Sequence, residues 1–205
     1  MTTPKRLRPR NQPKQPRARQ TREDILRAAA QVFAQHGYAA GTTNRITEAA
    51  YLSIGALYQY FPNKDAILLE LMNAHVDAGV DAVRKHLAGG LPDRLEDTLA
   101  LFVRAAVDNH RDQPRLHQVL FEEAPRPARF LARLHVLEAE LVAGAGAFLA
   151  GHPEVRVTDT HVAARMVVGT IESLVHRFFA VAEPPTEVDR FERELVAMLG
   201  RYLRG

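Results

Sequence analysis

The residues best equipped for chemistry fall in one short stretch, Ser53–Lys64, which reads SIGALYQYFPNK. Gln59 offers an acceptor and a donor in one plane, the arrangement that suits the edge of an adenine in a major groove. Tyr58 and Tyr60 flank it and can place hydroxyls on phosphates. Lys64 adds a charge-assisted contact of the same kind. Gly55 and Ala56 are small, so a helix carrying them can approach a groove floor. Upstream, Thr42, Thr43 and Asn44 open another short helix, where exposed N–H groups also favour phosphate. Such groups recognise a duplex and make no bonds. The same side chains also suit a solvated helix or a protein contact.

Groups that make bonds are scarce. There is no cysteine, which excludes disulfides, thiolate metal sites and cysteine nucleophiles. Ser53 is spent as a helix cap, and Ser173 sits inside an apolar helical run with no nucleophile-elbow motif. Nine histidines scatter over different predicted helices, and none forms a His-x-x-x-His pair. A histidine-based metal enzyme therefore has no ligand-spaced motif behind it. No glycine-rich phosphate loop appears, since Gly144 and Gly146 lie in a helical AGAGA stretch. The expectation is no catalytic residue, no metal ligand and no cofactor.

The elements that must position the recognition residues are helical. Thr21 can cap a first helix, with Ile25, Leu26, Ala29, Val32 and Phe33 on one face and Gly37 at its end. A second helix covers about Thr43 to Ala50, with Ile46, Ala49 and Ala50 inward. After a tight turn at Tyr51-Leu52, Ser53 caps a third, on which Leu57 and Phe61 face inward, and Pro62 ends it. Two short helices joined by a tight turn, behind a longer one, make a helix-turn-helix arrangement.

The remainder predicts longer helices over about 63–87, 92–110, 114–123, 126–150 and 159–180. A last one is capped by Thr186. No strand candidate alternates convincingly, so the fold class is all-α, with about nine helices. The 159–180 segment is apolar on nearly every side, and such a helix must be covered twice. A partner subunit could supply the second cover, which points to a homodimer with Val168, Gly169, Ile171, Val175, Phe191, Leu195 and Leu199 at the interface. The alternative is a central core helix in a monomer. A small-molecule pocket among the middle helices would draw on Phe102, His110, His117, Phe121, His135, Glu138 and Met166, which put polar groups among apolar neighbours.

The chain has 205 residues, 46% apolar and 25% charged, with a net charge of +3. That is ordinary for a globular protein. No run approaches the roughly 18 apolar residues of a membrane span, and the start has no apolar secretory core, so the expectation is a cytoplasmic protein without a membrane partner. Charge is uneven. Residues 1–20 hold seven basic groups and no acid, while acids outnumber bases in the rest. A basic, proline-rich arm of this kind reads as disordered, and a phosphate backbone is its natural partner. The expected organisation is an arm over 1–20, a helix-turn-helix domain over 21–68 and a helical regulatory and dimerisation domain over 69–205.

Residues from about Thr21 to Leu71 resemble the N-terminal domain of the TetR family of bacterial transcriptional regulators. The resemblance is carried by ILRAAAQVFAQHGYAAGTT and SIGALYQYFPNKDAILLEL, above all by the Leu-Tyr-x-x-Phe-x-x-Lys that closes the helix-turn-helix. It implies a homodimer on a near-palindromic operator in double-stranded DNA. It also implies a C-terminal pocket for a small-molecule effector that releases the repressor. By position, Thr42, Thr43, Tyr58 and Lys64 would meet phosphates, and Asn44, Gly55, Ala56, Gln59 and Tyr60 would lie nearest the bases. The chain departs from the pattern at Tyr51, where glycine is usual, at Thr47, where a small alanine is usual, and at Ile54, often lysine or proline. The competing reading is an all-helical protein-interaction module whose basic tail binds an acidic partner.

Overall fold

The computed structural model describes residues 16–111, 114–180 and 187–205. The regular elements among them are all helical: α1 (Pro16–Ala40), α2 (Thr43–Ala49), α3 (Ile54–Tyr60), α4 (Lys64–Leu87), α5 (Leu95–Arg111), α6 (Pro114–Gln118), α7 (Ala128–Gly151), α8 (Thr160–Phe179) and α9 (Val188–Arg204). A π-helical turn, Val119–Glu123, follows α6. The described residues form two compact units. One comprises those up to Val76 together with Arg115–Leu131, and the other those within Asp77–Pro114 and Ala132–Gly205. The first unit thus takes in a segment well beyond residue 68, the boundary expected from sequence.

In the first unit, α1 buries Ile25, Ala28, Ala29, Val32 and Phe33 along one stripe. Its first turn begins at Pro16, so residues 16–20, expected in the arm, are helical. Residues 1–15 lie outside the described part. Gly37 breaks the helix at φ 73°, ψ 171°, a positive-φ conformation that suits glycine. A Cβ there would also lie 2.8 Å from the Glu123 carboxylate of the π turn. One helical turn follows before Gly41, where a Cβ would strike the Phe33 ring at 2.4 Å.

The next two helices are short and capped. Thr42 Oγ1 accepts from the Arg45 N–H at 3.3 Å, and Ser53 Oγ from the Ala56 N–H at 3.1 Å. Between them Tyr51 takes φ 55°, the left-handed turn expected of a position that usually holds glycine. Its side chain stays in solvent, 96% exposed. Thr47 is buried, and its hydroxyl donates to the Asn44 carbonyl at 2.8 Å, which satisfies the polar group a hydroxyl adds there. Asn63 caps α4 by accepting from the Ala66 N–H at 2.9 Å.

The second unit packs α5 against α8 and α9. Leu95, Leu99, Val103 and Val107 of α5 meet Ala163, Ala164, Val167, Ile171, Val175 and Phe179 of α8. Leu195, Val196, Leu199 and Leu203 come from α9, and Val142 and Leu149 from α7. Glu154 accepts from the Leu95 N–H at the start of α5 and from Arg204. The Leu95 N–H and then Arg204 hold its carboxyl below the usual carboxylate range. Asp159 caps α8 through the Val162 N–H at 2.9 Å. The expected Thr186 cap of α9 lies outside the described residues. Among those residues α7 is long and apolar enough, by length and composition, to cross a membrane, although Glu138 and Glu140 interrupt it.

Candidate nucleic-acid interface

The residues expected to meet DNA gather on α3 and at the starts of α2 and α4. Seven residues cannot hold a helix by themselves, so tertiary anchors must fix it. Leu57 and Phe61 supply them, each fully buried. With that side inward, Gly55, Tyr58 and Gln59 are exposed, and Ala56 and Tyr60 are half-buried. A Cβ at Gly55 would meet only the Ser53 hydroxyl, at 3.9 Å, so nothing in the unit covers that point. Thr42 and Asn44 are exposed at the start of α2, and Thr43 is half-buried. The hydroxyls of Thr43 and Tyr58 lie 3.4 Å apart and tie α2 to α3. Ile54, next to the Ser53 cap, is 40% exposed.

Lys64 sits differently from what its sequence position suggests. Its ammonium donates to the carbonyls of Tyr38, at 2.9 Å, and Ala39, at 3.2 Å. It also lies 4.2 Å from the centroid of the Tyr38 ring. The Tyr38 hydroxyl donates to Asp65. Burial, and then the hydrogen bond to Asp65, push that phenol well above its ordinary range. Lys64 therefore clamps the end of α1 to the start of α4, and its cation is held in place. Arg45, exposed on α2 next to Asn44, was passed over by sequence reasoning. The signal was available, as a cation directly after the Thr-Thr-Asn run.

The seven residues expected to line a pocket fall into several settings. In the first unit, His117 is 4% exposed and stacks on Phe121 at 4.6 Å. His75, from α4, meets the same His117 ring edge-on at 4.7 Å. In the second unit, His110 donates Nδ1–H to the Ala106 carbonyl at 2.7 Å and stacks near Phe179. Burial pulls its pKa down, and the neighbouring His176 adds to that. Phe102 packs on the core of this unit. His135 and Glu138 are exposed on α7. Met166 is a surface residue, 50% exposed on α8, with the Tyr202 hydroxyl 3.3 Å from its sulfur.

Six of the seven expected interface residues are spent inside their own chain. Ile171, Val175, Leu195 and Leu199 are core residues, and Val168 and Phe191 pack against them. Gly169 differs, since a Cβ there would meet nothing within 4 Å. The apolar side chains that α8 and α9 expose are Val162, Met166, Leu174, Met198 and Tyr202. The correction is one of register: α8 is apolar on two sides, and the side first assigned to a partner faces α5 and α9.

A buried-anchor helix behind a left-handed turn, with a capped partner helix beside it, is a helix-turn-helix head, and that geometry defines a class of proteins that read duplex DNA. Residues 25–71 match the family described as bacterial regulatory proteins, tetR family. Residues 95–203 match the tetracyclin repressor-like C-terminal domain. The chain belongs to the TetR family, whose members are DNA-binding transcriptional regulators and not enzymes.

Among curated relatives, the probable acrEF/envCD operon repressor of Escherichia coli K12 is 35% identical over 74 residues, 31% of this chain and 34% of that protein. An uncharacterized HTH-type transcriptional regulator of Bacillus subtilis, YuxN, is 40% identical over 53 residues, 26% of this chain and 18% of that protein. The chain thus aligns with well under half the length of these relatives. Among solved structures, the fatty acid degradation regulator FadR of Bacillus halodurans superposes with a TM-score of 0.73 at 22% identity, covering 94% of this chain and 99% of that one. A TetR-like regulator from Rhodococcus sp. RHA1 gives 0.67 at 24% identity, over 90% and 96%. At such identities these two speak for the fold alone.

Proposed function

We propose that this chain is a ligand-responsive repressor that binds a near-palindromic operator as a homodimer and leaves it when a small molecule binds. The observation that carries the reading is α3, pinned by Leu57 and Phe61 while Gly55, Tyr58 and Gln59 face solvent. In the major groove Gln59 would read a base, with Asn44, Gly55, Ala56 and Tyr60 beside it. Thr42, Thr43, Tyr58 and Arg45 would hold flanking phosphates, as would the remaining proton of the Lys64 ammonium. Most binding energy would come from phosphates, and sequence choice from the few base contacts.

The dimer reading rests on the outer face of α8. Val162, Met166, Gly169 and Ser173 follow one another at spacings of four, three and four, the seam of a coiled-coil contact. Met198 and Tyr202 of α9 extend it. Two copies joined there would present two heads to half-sites about one helical turn, ~34 Å, apart. An effector would act by binding the non-DNA-binding arrangement more tightly than the other. Such a protein works in the cytoplasm, where the chromosome is.

The test is fluorescence anisotropy on operator-sized duplexes selected from genomic fragments, across a range of salt. Binding should be sequence-dependent and should weaken steeply with salt. Gln59→Ala should relax base preference at one position per half-site, by the ~1–3 kcal/mol that a good base contact contributes. Retention without any sequence preference would instead favour the protein-interaction module with a basic tail.

A further inference from the structure

We propose that the first unit holds a transition-metal cation between His75 of α4 and His117 of α6. The two residues are 42 apart in sequence, so no motif marks them, yet the fold sets their rings 4.7 Å apart, centroid to centroid. Each offers a ring nitrogen within 4.8 Å of the other's. Two imidazoles on one cation, with metal–nitrogen bonds of about 2.0–2.1 Å, have ring centroids about 4.5 Å apart at a right angle and about 5.2 Å apart at a tetrahedral one. The observed separation falls inside that interval, and the two nitrogens, within 4.8 Å, must close to about 2.9–3.4 Å for both to bind one ion.

The surroundings fit. His117 is one of three buried polar side chains among the described residues, the others being Thr47 and Thr98. His117 lies against Phe121, which also approaches His75 at 5.2 Å, an apolar wall beside the pair. The pair sits at the junction of α6 with the π turn, a backbone irregularity frequent at functional sites. Neutral imidazole pairs select Zn2+, Ni2+, Co2+ or Cu2+ over Mg2+ and Ca2+, which want oxygen. Two protein ligands leave further positions for water. The site needs neither DNA nor an organic effector, so it stands apart from the repressor reading.

The experiment titrates CoCl2 and NiCl2 into the full, untagged, EDTA-treated chain, followed by calorimetry and, for Co2+, by visible absorption. The expected result is one equivalent per chain, Ni2+ tighter than Co2+ as their ligand-field order requires, and d–d bands of a nitrogen-bound Co2+. His75→Gln and His117→Gln should each weaken binding by about tenfold or more, the least that losing even a supporting partner of a ligand costs. Exposed His36→Gln and His161→Gln should change nothing. Should His117→Gln fail to fold by circular dichroism, the half-buried His75→Gln decides alone. No binding, or binding that survives His75→Gln, overturns the site.

Discussion

Lys64→Ala should weaken the fold as well as DNA binding, and the two losses can be read separately. The ammonium bridges the Tyr38 and Ala39 carbonyls at 2.9 and 3.2 Å and lies 4.2 Å from the Tyr38 ring centroid. A hydrogen bond from a charged donor contributes about 1.5–3 kcal/mol where it is sheltered, and an exposed cation–π contact about 0.5–1 kcal/mol. Lys64 is half-buried, and Ala39 is exposed, so water replaces part of what is lost and screens the charge. The lower ends then apply, for a net cost of about 2 kcal/mol. In a chain of this size that lowers Tm by about 4–8 °C. Urea unfolding should show an earlier midpoint at unchanged m. Anisotropy should show the salt dependence of DNA binding flattened by about one unit, the signature of one lost phosphate contact. Lys64→Met, which keeps the stem, should lose the salt slope equally and stability nearly so. An unfolding free energy within about 0.5 kcal/mol of the parent's, well under the loss expected of the clamp, would refute the structural role. An unchanged salt slope would remove Lys64 from the phosphate contacts.

Three further outcomes are expected. Tyr51→Gly relieves a left-handed residue, about 1–2 kcal/mol, against about 0.5–1 kcal/mol of added chain entropy. With the side chain 96% exposed, urea midpoints should rise slightly, and a clear fall would mean the ring makes a contact that matters. Met166→Glu should shift the chain toward monomer in analytical ultracentrifugation while leaving its circular dichroism intact, because Met166 is 50% exposed in one subunit; an unaltered sedimentation profile would displace the proposed seam. His110 has its pKa lowered from 6.5. The unfolded chain therefore takes up a proton that the folded one refuses, and stability is lost as pH falls below 6.5 toward the folded value. The drop in urea midpoint between pH 7.5 and 5.5 should be smaller in His110→Gln, and an equal drop would assign it to other groups.

The head was legible because its signals are local. Ser53 before an apolar run, Leu57 and Phe61 four apart, and a turn position at Tyr51 all act within a few residues. The start of α1 was misjudged at Pro16, although proline is tolerated in a first helical turn, where its missing N–H costs nothing. Lys64 was legible as a cation but not as a clamp, since its partners lie 25 and 26 residues earlier. The two faces of α8 show a deeper limit. Ala163, Val167, Ile171 and Val175 are buried, whereas Val162 and Met166 are exposed. Both stripes have helical spacing and both are apolar, so composition cannot orient the helix. Only the packing of α5 and α9 decides which stripe becomes core.

The arrangement of α3 explains why Lys64 should behave unlike its neighbours. A helix of seven residues has no stability of its own to lose, so its position rests on inward Leu57 and Phe61 and on the Ser53 cap. Gly55, Tyr58 and Gln59 lie on the other side, and substitutions there leave those anchors intact. A left-handed Tyr51 at φ 55° persists because the packed helices on either side over-determine it. Changes on the outer face should therefore alter DNA binding with little effect on folding, and changes on the inner face should do the reverse. On the proposed reading Lys64 belongs to both groups, since its ammonium closes α1 onto α4 and would also meet a phosphate. A charge that must stay in one place to meet a phosphate is best held by the carbonyls it caps, and that coupling is why a single substitution there should register in both assays.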